Sequence, residues 1–251
     1  MLLALASILA LGAATIPCPG TYDGHVQGIA VDESYTIYWS FTAALVKSTR
    51  EGALLKQVPA PSHHGDLCWH GGRLYVAVNL GAFNQEPGKA DSWVYVYSPD
   101  LELLEKHPVS EAVHGAGGIT FHEGRFIVAG GLPPGHEQNY LYLYDSAFRF
   151  QERREIPSGF TRMGIQTIAV HGGRIWCGTY DPSDALLELA PDFTLLRRHD
   201  INAAYGIAPW GEGLWLRAVS HKGRGRNAYS ADATPEPLPE VTVIPAPPAA
   251  P

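Results

Sequence analysis

The chain has 251 residues, of which 45% are hydrophobic and 10% aromatic; that is enough apolar side chain to bury a full core, and it excludes a disordered body. The formal charge is -7 and the 18 Lys and Arg are scattered singly. Nucleic-acid binding needs a clustered cationic footprint, so nucleic acid is excluded as a partner.

Residues Met1 to Ala14 form an apolar run ending in small residues. This reads as the apolar region and cleavage site of a secretory signal, with a leader over 1–20 and a secreted or periplasmic product, although no Lys or Arg precedes it. The run falls short of the ~20 apolar residues a membrane span needs, so no transmembrane segment is expected. Cys18 stands where a lipid-bearing cysteine would stand, a second reading that Pro17 before it disfavours.

From residue 21 to 239 one pattern recurs, and a single all-β domain is expected. Gln27-Gly-Ile-Ala-Val-Asp-Glu-Ser-Tyr-Thr-Ile-Tyr-Trp-Ser opens it as strand, turn and strand. A tight turn feeding a strand then returns at His70-Gly-Gly-Arg-Leu-Tyr-Val, His122-Glu-Gly-Arg-Phe-Ile-Val, His171-Gly-Gly-Arg-Ile-Trp-Cys and Trp210-Gly-Glu-Gly-Leu-Trp-Leu. Aligning these places Gly28, Asp66, Gly118, Thr167 and Gly206 in one column at the start of five innermost strands. Third strands follow, such as Trp93-Val-Tyr-Val-Tyr and Leu141-Tyr-Leu-Tyr, whose period-two alternation reads as half-buried. Polar outer strands start near Leu54, Leu103, Phe150 and Thr194. A repeat of roughly 40 to 50 residues built from short strands predicts a β-propeller, here of five four-stranded blades. The Pro- and Ala-rich residues 240–251 are expected to be an extended tail.

Cys68 and Cys177 fall in non-adjacent blades, too far apart for the ~5.5 Å Cα separation of a disulfide, so both are expected to be buried and unpaired.

The segment Ile29-Ala-Val-Asp-Glu-Ser-Tyr-Thr-Ile-Tyr-Trp-Ser resembles a blade of the YWTD propellers of lipoprotein receptors. The Gly-Ile-Thr and Gly-Arg phrases resemble the wider NHL and gluconolactonase-like propellers. The likeness is close over one blade and is a pattern elsewhere; it implies the fold and no activity. Those families usually have about six blades where this chain shows five repeats. The carboxylate and Asn metal ligands of gluconolactonase-like enzymes have no counterpart placed by motif.

In a propeller the loops leading into the innermost strands and those leaving the second strands share one face around the channel. Six of the eleven histidines fall on these loops: His25, His63, His64, His114, His136 and His221. His70, His122 and His171 instead occupy the repeated turn. Imidazole carries protons near neutral pH and is the commonest metal ligand. His25, His64 and His114 are therefore the candidate catalytic residues, or the ligands of one divalent metal ion. Gln27, Asp66, Asn79, Arg162, Gln166, Asp181 and Tyr205 are the candidate substrate-binding residues; Asp66 reads equally well as the cap of a strand. His25, one of His63 and His64, His114 and Gln166 are expected to line one depression.

No Gly-x-Ser-x-Gly, Walker loop or dinucleotide fingerprint occurs, and Gly115 to Gly118 opens a strand rather than a helix. The expected function is an enzyme, a lyase or hydrolase, acting on an extracellular carbohydrate or similar polar metabolite. The rival is a non-catalytic module that binds a glycan or protein on the same face.

Overall fold

In the computed structural model, residues 14–61, 63–181 and 186–239 are described. Residues 1–13 of the leader expected over 1–20, and the tail over 240–251, lie outside the described residues.

Two short strands, β1 (Ile16–Pro17) and β2 (Tyr22–Asp23), precede four antiparallel meanders. Blade 1 is β3 (Val26–Val31), β4 (Ile37–Phe41), β5 (Ala44–Ser48) and β6 (Leu54–Pro59). Blade 2 is β7 (His64–His70), β8 (Arg73–Asn79), β9 (Ser92–Tyr97) and β10 (Leu103–Pro108). Blade 3 is β11 (Ala116–His122), β12 (Arg125–Gly130), β13 (Asn139–Tyr144) and β14 (Phe150–Ile156). Blade 4 is β15 (Ile165–His171), β16 (Arg174–Thr179), β17 (Leu186–Leu189) and β18 (Leu195–His199). Blade 5 takes β19 (Ile207–Pro209), β20 (Leu214–Lys222) and β21 (Ala228–Pro237) from one end of the chain and its outer edge from the other. Ile16 and Pro17 pair with Ala233 and Asp232, and Tyr22 and Asp23 with Tyr229 and Ala228. The ring is an all-β propeller of five four-stranded blades, and among the described residues no helix is long and apolar enough to cross a membrane.

The third strands correct one expectation: both of their faces are buried. In β9, Tyr95 and Tyr97 pack toward blade 1 while Val94 packs toward blade 3. In β13, Tyr142 and Tyr144 pack toward blade 2 while Leu141 and Leu143 pack toward blade 4. The alternation therefore sorts large from small side chains between two interfaces rather than apolar from polar. Each blade-to-blade interface holds its own apolar cluster, and burial at these interfaces, at about 25 cal/mol per Å², is what holds the blades together.

Residues 16–18, expected in the leader, belong to blade 5. The Cys18 N–H donates to the Ala231 carbonyl (2.9 Å) and its side chain is buried. A lipid-bearing sulfur has to face the membrane; this one faces the core between blades 5 and 1. All three cysteines are unpaired. Cys177 is buried as expected, but Cys68 is half-buried because it sits at the far end of β7 on the channel.

At the waist of the channel the expected column is in place. Gly28 has no room for a side chain because a Cβ there would come within 2.3 Å of the Asp66 carboxyl. Asp66 Oδ2 reaches across the ring to accept the Ile168 N–H (2.9 Å). The carboxyl closes the channel, leaving a cavity at each mouth.

Candidate functional site

The site lies on the face where the inner strands begin. Gly24 ends β2 with a left-handed turn (φ 81°) and its N–H donates to the Asn227 carbonyl (3.1 Å), which delivers His25 to the channel mouth. Nδ1 of His25 lies 2.8 Å from the Val26 carbonyl oxygen; an oxygen there accepts, so Nδ1 carries the proton and Nε2 keeps its lone pair. That Nε2 stands 3.5 Å from the Tyr180 hydroxyl and 3.5 Å from Nε2 of Gln27. Tyr180, Tyr205 and Tyr229 present their rings edge-on around the imidazole, at 6.1, 5.5 and 6.1 Å. Burial among them pushes the His25 pKa below the ordinary imidazole value, so the ring is neutral at pH 7.

His63 brings a second imidazole to the same place. Its Nε2 is 3.2 Å from Nε2 of Gln27, whose amide also donates to the Thr42 hydroxyl (3.2 Å). Burial, and then repulsion from His25, lower its pKa as well.

These groups line a cavity of about 140 Å³ together with Phe83, Met163, Gln166 and Tyr180. His25, Met163 and Tyr180 also border a lobe of about 340 Å³ lined by Arg162, Asn202 and Tyr205. The two spaces form one bilobed depression. Five expected residues meet there: His25, Gln27, Arg162, Gln166 and Tyr205.

The other five do not, and each has a physical reason. His63 and His64 are consecutive at the start of a strand and point to opposite sides, so His64 is fully buried between blades 1 and 2. Both of its ring nitrogens are occupied, Nδ1 by the Pro61 carbonyl (2.6 Å) and Nε2 by the Tyr97 hydroxyl (2.7 Å). Burial lowers its pKa to about 4, and it is a neutral structural histidine. His114 is buried under the loops of blades 2 and 3, with Nδ1 on the Gln85 carbonyl (2.8 Å) and its ring against His136. Asn79 closes the loop after β8, donating to the Gly81 carbonyl (2.9 Å) and accepting the Asp91 N–H (3.0 Å). Asp66 lies beneath the depression at the waist. Asp181 accepts the Arg162 backbone N–H (3.1 Å) and the Thr179 hydroxyl (3.1 Å), which makes it a support for the Arg162 loop.

The expected metal set of His25, His64 and His114 is therefore not assembled, and among the described residues no three His, Cys, Asp or Glu side chains gather as a ligand group. The two imidazoles that do converge fall short of the three protein ligands of a catalytic zinc site.

Phe83, Met163 and Tyr180 complete the site without an expectation attached to them, and His63 is the member of the His63 and His64 pair that lines it. The signal for His63 was its repeat column, shared with His25. Phe83 lies over Gly115 and Gly117, where a Cβ would strike its ring, so those glycines let it cover the mouth. A cavity of about 160 Å³ at the opposite mouth is lined by the far ends of the inner strands, and its one imidazole, His70, is stacked on Phe121 (3.5 Å).

No protein-family model matches the chain, and no curated protein matches it in sequence. Solved structures do. The GH43_1 enzyme from Xanthomonas citri aligns at 12% identity with a TM-score of 0.60, over 89% of this chain and 91% of that one. A gluconolactonase from Xanthomonas campestris aligns at 12% identity with a TM-score of 0.50, over 91% and 99%. BamB from Moraxella catarrhalis aligns at 10% identity with a TM-score of 0.43, over 84% of this chain, which spans 66% of BamB's length. At such identities the likeness is one of fold: the chain is a β-propeller.

Proposed function

We propose that this propeller is an enzyme that acts on a carbohydrate or related polar metabolite by abstracting a proton, in the manner of a lyase, at the depression around His25. One observation carries the reading: a neutral imidazole whose tautomer is set by the Val26 carbonyl holds its unprotonated Nε2 beside the Tyr180 hydroxyl at the cavity wall. A general base has to be unprotonated at working pH and within reach of a bound carbon acid, and its partner hydroxyl can deliver a proton to a leaving oxygen. The Gln27 amide, tied to His25, His63 and Thr42, fixes the base. The sugar-acting GH43 and gluconolactonase propellers of similar fold support the substrate class. Hydrolysis by paired carboxylates has less support, because it needs two carboxyls facing one cleft about 5 to 10 Å apart. Here Asp66 lies below the floor and Asp181 is tied to the Arg162 loop. The apolar run at the start of the chain supports an exported enzyme.

The test is turnover of a panel of oligosaccharides by wild type and His25→Ala. Loss of the base should lower kcat by about 10²- to 10⁴-fold with little change in Tm, since His25 lies at the mouth rather than in a blade interface. A His25→Ala protein that keeps its turnover would overturn the assignment.

A further inference from the structure

We propose, resting on His25 as the base, that the substrate is an acidic sugar, a hexuronate, whose carboxylate is held by Arg162 while a glycosidic bond is broken by β-elimination. Arg162 borders the larger lobe with His25, Tyr180, Asn202 and Tyr205. Its backbone N–H is anchored on the Asp181 carboxylate (3.1 Å), which aims the loop without using the guanidinium. The arginines on the second strands of the blades, Arg73, Arg125, Arg174 and Arg217, each pair with a glutamate. Arg162 makes no ion pair among the described residues. A guanidinium without an ion pair, bordering a cavity whose two imidazoles are neutral, is placed to meet an anionic ligand, and a planar carboxylate is the ligand that a guanidinium engages with two parallel hydrogen bonds. A neutral sugar would leave it unanswered.

The same placement supplies the chemistry. Neutralising the carboxylate acidifies the C–H beside it. His25 Nε2 takes that proton, the C–H electron pair forms the carbon–carbon double bond, and the bond from the next carbon to the glycosidic oxygen breaks. The departing oxygen takes the phenolic proton of Tyr180. The proton on His25 then returns to the Tyr180 oxygen across the 3.5 Å that separates them, restoring both groups. Burial raises the Tyr180 pKa, so the phenol keeps its proton until the leaving oxygen needs it.

The experiment offers wild type, Arg162→Gln, Arg162→Lys and His25→Ala an oligohexuronate and the matching neutral oligohexose, following the ultraviolet absorbance of the unsaturated product and, separately, binding by calorimetry. Wild type should bind and convert the uronate alone. Arg162→Gln should lose about 100-fold or more in kcat/KM, with Arg162→Lys between the two. If the neutral sugar is turned over equally well and only His25→Ala is inactive, the acidic-substrate inference fails while the base assignment stands. If the uronate is cleaved without an absorbing product, elimination fails. If neither sugar binds, both readings fail.

Discussion

A carboxyl at the narrowest point of a closed ring needs a reason. Three of the five residues in the waist column, Gly28, Gly118 and Gly206, have no side chain, and Thr167 turns its hydroxyl to the Ala203 carbonyl (2.7 Å). Asp66 fills the space they leave. Burial raises its pKa well above the usual carboxylate value, against the backbone amides of Ile168, Leu67 and Ile119, which favour the charge. Its Oδ1 has no hydrogen-bond partner. A group whose folded pKa is raised contributes stability below its unfolded pKa of ~3.9 and loses it as pH rises toward the folded value. Asp66→Asn is isosteric and cannot ionise. The variant should match wild type in Tm near pH ~4 and exceed it near pH ~8, where only the wild type is drawn toward a buried charge. Thermal melts across that range decide it, and parallel Tm curves for the two proteins would show that Asp66 has the same pKa folded as unfolded, so that burial does not hold its proton.

At the scale of the element, the turn between third and outer strands repeats in a way that dihedral angles make visible. Its fourth residue has positive φ in four blades: Gly52 (87°), Leu101 (58°), Phe148 (57°) and Phe193 (72°). For a residue with a Cβ this costs about 1–2 kcal/mol. The return is burial: Leu101, Phe148 and Phe193 are 4%, 8% and 6% exposed and plug the gaps between blades. Thr49, Ser98 and Asp145 cap these turns by accepting N–H groups two and four residues on. Phe148→Gly relieves the strained φ but removes a ring stacked on Phe126 (4.5 Å). Urea denaturation should show a net loss of about 2–3 kcal/mol, and a neutral effect would mean that strain and packing cancel.

These turns also mark where sequence reading stops. The similar phrases Pro99-Asp-Leu, Ser146-Ala-Phe and Pro191-Asp-Phe were visible as connectors, because a repeat shows in letters, whereas a left-handed φ does not. The five inner strands were legible for the same reason. The site was legible where the repeat column decided it, as for His25, Gln27 and Gln166. It was not legible where a one-residue step decides the side, as between His63 and His64, or where a loop folds back on itself, as Asn79 and His114 do.

At the scale of the whole molecule, ring closure and the site share one joint. The outer edge of blade 5 comes from residues 16–23, the only blade edge in the described chain not continuous with its own meander. Ile16, Cys18 and Tyr22 enter the cluster between blades 5 and 1, where the Tyr22 ring stacks on Phe41 (4.1 Å). The next residues are Gly24, bonded to Asn227, and His25, whose ring meets Tyr229 of β21. The strand that closes the ring therefore also aims the base. A chain beginning at Ala14 should unfold in one cooperative transition, since it keeps every closing contact. A chain beginning at Gly24 exposes the β21 edge and opens the cluster; it should melt earlier and lose amide protection first along β20 and β21. Its His25, no longer held among three tyrosine rings, should titrate closer to the ordinary imidazole value than in the longer chain, where burial holds the pKa down. Hydrogen exchange and NMR titration of the two chains measure both effects. If they agree in Tm, in protection of β21 and in the His25 titration, closure by residues 16–23 has no part in positioning the base.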